Sequence, residues 1–232
     1  MSGATLAAQR DVFVGRHSSV WRALAAHPLL AQRQANRQVL AIGHRELGEF
    51  AFERGDRVWL LSYSRRAAQN RAMLAQLQGA GVAELIYVSS SSTIVCTMTR
   101  CYAYPRLKQQ AELEALALPN ARVLTLGQVV AQALQLPAGA SMATLVDELA
   151  AFVIQPDWPE QGGRRKRLMR LVQRPFATNI EAGAYRGYGW LMWAVGRWPC
   201  LLRPLDALLR ALGWRWYGYV FLSNRLWTAT IS

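Results

Sequence analysis

Short apolar runs alternate with amphipathic stretches along the first 130 residues. The apolar runs have the length of buried parallel strands, and turn-forming residues bound them. We predict strands at 11–15, 38–44, 56–64, 84–92 and 121–130. The amphipathic stretches are rich in helix-forming residues and bounded by serine, glycine or proline. We predict helices at 18–33, 65–81, 104–118 and 144–154. Alternation of strand and helix predicts a parallel sheet covered on both faces, with Trp59 and Tyr87 in its core.

The pattern changes after Val130. Prolines, glycines and charges in QPDWPEQGGRRKR (155–167) predict a linker or exposed loop. A chain of 232 residues is long enough for one core of ordinary size and too short for two full domains. We therefore divide it into an α/β domain, 1–155, and a mainly helical, basic and aromatic segment, 156–232.

Charge distinguishes these two parts. The net charge is +13, and residues 164–232 contain twelve Lys and Arg residues against Glu181 and Asp206. An anionic partner is therefore expected, although charge alone does not identify it.

Cys96, Cys101 and Cys200 form no C-x-x-C pair, which favours reduced thiols over a disulfide scaffold. The start of the chain lacks the pattern of a secretory signal, so we expect a cytoplasmic protein.

Tyr104 and Lys108 lie four residues apart near the start of a predicted helix, so they share one face. A serine run that ends a buried strand precedes them, with 13 residues from Ser91 to Tyr104. A tyrosine pKa near 10 must fall by roughly 3 units, about 4 kcal/mol, for acid/base work near neutral pH. A nearby ammonium favours the phenolate. The alternative interpretation of the pair is a solvated helix face.

This constellation resembles that of the short-chain dehydrogenase/reductase family. The resemblance covers about residues 11–135 and implies a shortened, doubly wound Rossmann-like parallel sheet, similar to nucleotide-sugar epimerases and dehydratases. It implies that Tyr104 is the acid/base, that Lys108 lowers its pKa and holds the nicotinamide ribose, and that Ser91 orients the substrate. Ser90 and Ser92 remain alternatives to Ser91. Family members often dimerise through the helix that carries the tyrosine and lysine, so a homodimer is expected.

The resemblance also implies an NAD or NADP site, but the sequence departs from the family there. GRHSSVW keeps only Gly15 of the family's glycine-rich turn, with Ser18 and Trp21 at the later glycine positions. Ser18 and Ser19 can still cap a helix and bind a phosphate, whereas Trp21 would crowd helix packing. His44 and Arg45 replace the acidic residue expected after the second strand, which favours NADP over NAD. Ser62 and Tyr63, near the end of the predicted strand 56–64, complete the predicted cofactor-binding set.

Between Gly43 and Val58 the chain is too short for the family's usual helix and third strand, and we predict that both are deleted. His17, His27 and His44 lack metal-ligand spacing with the cysteines, so no metal site is predicted.

Residues 185–227 contain six of the nine tryptophans, and arginines interrupt every apolar run before it could span a bilayer. This composition favours either a segment that lies in a membrane interface or a wall of the substrate pocket whose arginines bind phosphate. Nucleic-acid binding is disfavoured because no binding motif accompanies the charge.

These observations lead to two functional hypotheses. The first is an NAD(P)-dependent oxidoreductase or epimerase-like enzyme that acts on an anionic substrate, a nucleotide-linked or lipid-linked sugar. The second is a non-catalytic scaffold or partner subunit, bound peripherally to the inner face of the membrane, in polysaccharide or lipid assembly.

Overall fold

Two β-sheets organise the chain. The computed structural model describes residues 10–34, 38–61, 64–159, 163–195, 198–213 and 218–231. The strands are β1 Arg10–Val14, β2 Gln38–Ile42, β3 Arg57–Leu60, β4 Glu84–Ser90, β5 Ala121–Leu126, β6 Gln128–Val130, β7 Gly139–Leu145, β8 Arg165–Leu168 and β9 Arg170–Arg174. The α-helices are α1 Ser19–Ala25, α2 Pro28–Gln34, α3 Ala67–Gly79, α4 Ala103–Leu116, α5 Val146–Ile154, α6 Asn179–Val195, α7 Pro199–Ala211 and α8 Gly218–Ile231. Two 3-10 helices cover Ser91–Thr97 and Ala133–Gln135.

The chain packs as two units. The first comprises residues 1–89, 110–125 and 146–168, and the second comprises 90–109, 126–145 and 169–232. The six-stranded sheet, in the order β2-β1-β3-β4-β5-β8, belongs to the first unit, and the three-stranded sheet β6-β7-β9 belongs to the second. The predicted boundary after residue 155 falls inside the last segment of the first unit.

Alternating side chains of the large sheet pack against different helices, as expected for strands buried on both faces. On one face, Val12, Val14, Val58 and Leu60 share a core with side chains of α3 and α4. On the other face, the rings of Phe13 and Trp59 stack, and aromatic side chains of α1 and α5 contact them. With β1 parallel to β2 and β3, and β3 parallel to β4, this is the predicted doubly wound, Rossmann-like fold. Trp59 and Tyr87 are both 1% exposed, as predicted.

The predicted deletion after the second strand is confirmed. β2 lies at the edge of the sheet, and the next strand, β3, pairs on the other side of β1. Residues 43–56, all of which the structure describes, form only turns and irregular segments. In the classic six-stranded order a further strand would lie outside β2.

Three secondary-structure predictions were wrong in detail. The helix at 18–33 is two helices, because Pro28 disfavours helical backbone at His27. The strand at 121–130 is divided between the two sheets at Gly127, where a Cβ would lie 2.5 Å from the carbonyl oxygen of Met142. The predicted linker at 155–167 ends in β8, at the edge of the large sheet.

The second unit contains the helical C-terminal segment, as predicted, together with β7 and β9, which were not predicted. β7 pairs in parallel with β6 and antiparallel with β9. α8 packs on the 3-10 helix 91–97 and on β7, and the amide oxygen of Asn224 accepts a 2.9 Å hydrogen bond from the Met142 N–H. Within the described ranges, no helix combines the length and hydropathy needed to cross a bilayer.

Candidate functional site

All three predicted catalytic residues belong to the second unit. Ser91 begins the 3-10 helix that directly follows β4. Tyr104 and Lys108 lie one turn apart in the first half of α4. The serine thus follows the strand, and the tyrosine and lysine lie on the next α-helix, as predicted.

Lys108 is buried, with only 5% of its surface exposed. Lysine is almost never buried to this extent without a partner, because its ammonium group must lose its hydration. The alternative interpretation of Tyr104 and Lys108 as a solvated helix face therefore does not hold for the lysine. Tyr104 is half-buried, and its ring centroid lies 5.7 Å from that of Tyr219 on α8.

The hydroxyl groups of the serine run have different partners. Ser89 donates a 2.9 Å hydrogen bond to the Glu112 carboxylate, and the Ser92 hydroxyl donates to the Ser90 oxygen at 3.0 Å. Within the part of the chain that the structure describes, the Ser91 hydroxyl makes no hydrogen bond. Of the alternatives 90, 91 and 92, Ser91 is thus the serine whose hydroxyl has no protein partner among the described residues.

The main chain at Ser91 is held by the C-terminal helix. Its carbonyl oxygen accepts hydrogen bonds from the Ser223 hydroxyl and the Trp227 indole N–H, each 2.9 Å long. Both donors are buried. This contact was not predicted from the sequence, because the partners are 132 and 136 residues apart along the chain.

The predicted cofactor-binding residues Gly15, Ser18, Ser19, His44 and Arg45 belong to the first unit, after β1 and β2. Gly15 is buried and has φ +121°, a conformation that other residues rarely adopt. Its N–H donates to the Ile42 carbonyl oxygen at 2.8 Å, which links the turns after the two strands. The tight turn that the family's first glycine provides is therefore present.

Trp21 takes part in the packing of α1. Its main-chain N–H donates to the Ser18 hydroxyl oxygen at 3.0 Å, and Ser18 thereby caps the helix. Its ring centroid lies 4.8 Å from that of Phe13, which is fully buried in β1. The tryptophan therefore fills space between α1 and the sheet.

An ion pair that sequence reasoning missed lies at these turns. Arg16 and Glu46 approach to 2.6 Å, and the other Glu46 carboxylate oxygen accepts a hydrogen bond of 3.2 Å from the Gly43 N–H. His44 and Arg45 are exposed. An acidic residue four positions after the end of β2 was the available signal in the sequence. The remaining predicted cofactor residues, Ser62 and Tyr63, lie outside the described residues.

A buried polar cluster lies near the start of α4. The Tyr102 hydroxyl has no hydrogen-bond partner among the described residues, and the Asp206 carboxylate accepts a 2.8 Å hydrogen bond from the Gly218 N–H. A Cβ at Gly218 would lie 2.5 Å from the Tyr102 hydroxyl, so only glycine fits there. Burial, together with the negative charge of Asp206, raises the pKa of both Tyr102 and Tyr188 well above the usual value.

These raised pKa values predict alkaline sensitivity. As pH rises above about 10, unfolded tyrosines lose protons while Tyr102 and Tyr188 in the folded chain retain theirs. Stability should therefore be unaffected below that pH and fall above it. Tyrosinate absorbance during a pH titration should show tyrosines that ionise late, and Tyr102→Phe should remove one of them. Full ionisation of all tyrosines near pH 10 in a folded protein would contradict this prediction.

Comparison with known proteins establishes the fold. No family model matches the chain. No curated protein sequence matches it either. Among solved structures, the Bordetella bronchiseptica enzyme WbmG in complex with NAD and UDP superposes with a TM-score of 0.53 and 9% identity, covering 70% of this chain and 74% of that one.

Two further structures superpose on much of the chain. TunA, an NAD-dependent NDP-hexosamine 5,6-dehydratase involved in tunicamycin biosynthesis, has a TM-score of 0.50 and 11% identity, covering 70% of this chain and 77% of that one. A short-chain dehydrogenase/reductase superfamily protein from Agrobacterium tumefaciens with bound NAD has a TM-score of 0.50 and 15% identity, covering 77% and 83%. At such identities the likeness concerns the fold, which is that of short-chain dehydrogenase/reductase structures.

Proposed function

We propose that this protein is an NAD(P)-dependent oxidoreductase or epimerase-like enzyme that acts on a nucleotide-linked or lipid-linked sugar. The observation that carries the proposal is the burial of Lys108 one turn from Tyr104. A buried ammonium one helical turn from a phenol is suited to lowering the pKa of that phenol. A lysine on a solvated helix face would instead be exposed. The structures that share the fold include proteins described as acting on nucleotide-linked hexosamines or as holding NAD and UDP.

The residues divide the chemistry between them. Tyr104 as phenolate takes the proton from a sugar hydroxyl, or as phenol returns it in the reverse direction. Lys108 stabilises the phenolate, and Ser91 donates a hydrogen bond to the same substrate oxygen. A bound nicotinamide would supply the hydride chemistry at the carbon whose hydroxyl Tyr104 deprotonates.

The residues after β1 and β2 are compatible with a dinucleotide. Gly15 has the positive φ of the tight turn, and Trp21 packs against Phe13. Arg16 and Ser19 would hold the pyrophosphate. Arg45 would hold a 2′-phosphate and thereby favour NADP.

The charge balance at this site supports NADP. Glu46 is compensated by the ion pair with Arg16, so the exposed Arg45 leaves a net positive charge among the three. A compensated carboxylate repels a 2′-phosphate less than a free one, because the two opposite charges partly cancel at that distance.

A second candidate function is the non-catalytic scaffold. The N–H groups of both Gly15 and Arg16 donate to the Ile42 carbonyl oxygen, so neither is available to a phosphate in this conformation. The later glycines of the family's turn are also replaced. A chain of this fold that had lost its cofactor would retain its surfaces for partners while catalysing nothing.

Calorimetric titration with NADPH and NADH distinguishes the two functions. We expect binding of both, tighter for NADPH. Gly15→Ala should weaken it by roughly tenfold or more, because a side chain at this φ costs about 1–3 kcal/mol. Gly79→Ala in the same unit is the matched control, since a Cβ there meets no atom within 4 Å. If neither cofactor binds the wild-type protein at millimolar concentration, the enzyme proposal fails and the scaffold is favoured.

A further inference from the structure

Part of the exposed surface of α7 is apolar. This helix buries Leu202 and Asp206, whereas Leu201 and Leu208 are 50% and 58% exposed and Leu212, directly after the helix, is 73% exposed. Residues at this spacing lie on one face of a helix. A helix at a protein surface ordinarily presents polar side chains to water, so exposed leucines on one face are unusual.

Three exposed tryptophans lie on α6 and directly before α7. Trp190 and Trp193 on α6 are 68% and 47% exposed, and Trp198, just before α7, is 59% exposed. The main-chain N–H of Trp198 donates to the Val195 carbonyl oxygen, and its carbonyl oxygen accepts from the Leu201 N–H. Large exposed aromatic and aliphatic side chains grouped on adjacent elements mark an interaction surface.

Arginines line a cleft that borders α7. A cleft of about 860 Å³ is lined by residues of α7, of the start of α4 and of the segment before α4. Its lining includes three arginines that are all exposed, namely Arg100, Arg106 and Arg203. Among the described residues, the guanidinium groups of these three arginines form no ion pair and no hydrogen bond.

One acidic side chain lines this cleft, and it already accepts a hydrogen bond. Asp206 is 9% exposed and accepts a hydrogen bond from the Gly218 main chain. Three guanidinium groups against one carboxylate give the cleft a net positive charge, and Pro204 and Ala207 add apolar surface to its lining. Cationic groups beside exposed leucine and tryptophan suit an occupant that is anionic at its surface and apolar beneath.

We propose that this surface, formed by Trp190, Trp193, Trp198, Leu201, Leu208 and Leu212 with Arg100, Arg106 and Arg203, binds the surface of an anionic lipid bilayer. Tryptophan is enriched at the membrane–water interface, where its ring contacts acyl chains and its N–H contacts headgroups. The arginines bind lipid phosphates, and the leucines of α7 enter the acyl boundary as in helices that lie in the membrane plane.

Two other occupants fit this surface less well than a bilayer. A second copy of the chain would bring together two C-terminal segments that each contain twelve basic and two acidic residues, so their repulsion opposes self-association. A nucleic acid would satisfy the arginines, but it offers no apolar layer for the exposed leucines of α7. The bilayer satisfies both kinds of side chain.

Co-sedimentation of the full chain with vesicles tests the proposal. The vesicles are phosphatidylcholine alone, or phosphatidylcholine containing one quarter phosphatidylglycerol. We expect binding to the anionic vesicles that weakens with salt, because the Debye length falls to about 8 Å at physiological ionic strength. Replacing Arg100, Arg106 and Arg203 by alanine should lower the partition coefficient roughly fivefold per residue, or about a hundredfold in total.

Two control variants separate this surface from general charge and hydrophobicity. Alanine at Arg22, Arg54 and Arg65, which are exposed in the first unit, removes the same charge and should change binding little. Alanine at Trp190, Trp193 and Trp198 should weaken binding about tenfold or more, whereas alanine at the exposed Leu113 and Leu134 should not.

Four outcomes would overturn the proposal. They are absence of binding to anionic vesicles at low salt, equal loss in the arginine control, unchanged binding of the tryptophan variant, and a tryptophan-dependent dimer or oligonucleotide complex in place of vesicle binding. Light scattering and fluorescence anisotropy with a single-stranded oligonucleotide detect the last of these. Circular dichroism verifies that each variant is folded.

Discussion

Replacing Tyr104 by phenylalanine is expected to lower turnover by about 10²–10⁴-fold, the usual contribution of a general acid or base. The change removes one oxygen atom from a half-buried ring that packs near Tyr219, so the fold should be retained. Cofactor affinity should also be retained, because the predicted dinucleotide contacts come from other residues. The measurement is the absorbance of reduced nicotinamide during reaction with a panel of nucleotide-linked hexoses.

Tyr102 provides a matched control two residues away. Its hydroxyl is buried and has no partner among the described residues, so Tyr102→Phe should leave turnover unchanged. Equal effects of the two substitutions would show that any lost activity reflects packing and not proton transfer. Undiminished turnover by Tyr104→Phe would rule out its role as acid or base.

Lys108→Met adds a readout that a purely structural role would not affect. If Lys108 acts as proposed, its removal takes a stabilising charge from the Tyr104 phenolate. In the oxidative direction the phenolate is the active form, so the acidic limb of the pH–rate profile should move to higher pH. A variant with the wild-type profile would contradict this role for the lysine.

Replacing Asp56 by alanine is expected to lower the free energy of unfolding by about 3–5 kcal/mol, because the largely buried Arg10 guanidinium loses its buried carboxylate partner. Asp56 is fully buried and accepts hydrogen bonds from Arg10 at 2.7 and 2.8 Å, as well as from the Glu53 N–H at 2.8 Å. For a chain of this size the melting temperature should fall by roughly 6–20 °C. Thermal and urea unfolding followed by circular dichroism measure the change.

Glu53 is the control for this second prediction, because it pairs with the same guanidinium at 2.7 Å but is 56% exposed. Glu53→Ala should cost no more than about 1 kcal/mol, as solvent screens an exposed pair. Similar losses in both variants would show that burial does not determine the contribution of each carboxylate.

These charged side chains lie at the amino ends of the strands. Arg10 and Arg57 begin β1 and β3, and Glu84 begins β4 and pairs with Arg57 at 2.7 Å. The catalytic and cofactor predictions concern residues that follow the carboxyl ends. A stability variant at the amino ends should therefore reduce the unfolding free energy without changing the chemistry, as in other open α/β sheets.

Much of the first unit could be predicted from local pattern. The apolar runs around Val12, Val58 and Leu85 are buried strands, because a continuous apolar run between turns has few other stable environments. The shortened connection after Gly43 was visible from chain length alone. The mainly helical character of the C-terminal segment was also predicted.

Other features could not be predicted because they depend on contacts distant in sequence. Local pattern cannot tell that Gly127 divides one apolar run between two sheets, since the carbonyl of Met142 creates the restriction. Nor can it place Glu46 against Arg16, because the pairing of β1 with β2 brings their turns together.

The amino-acid sequence by itself determined the alternation of strand and helix and the spacing of Ser91, Tyr104 and Lys108, because periodicity and helical pitch are local properties. The tertiary structure alone decided that Lys108 is buried and that Ser91 is the serine whose hydroxyl is not engaged by the described residues. Burial of a charge, and the choice among adjacent hydroxyl groups, depend on what the rest of the chain packs around them. Here that includes α8, whose Ser223 and Trp227 bind the Ser91 carbonyl from more than 130 residues away.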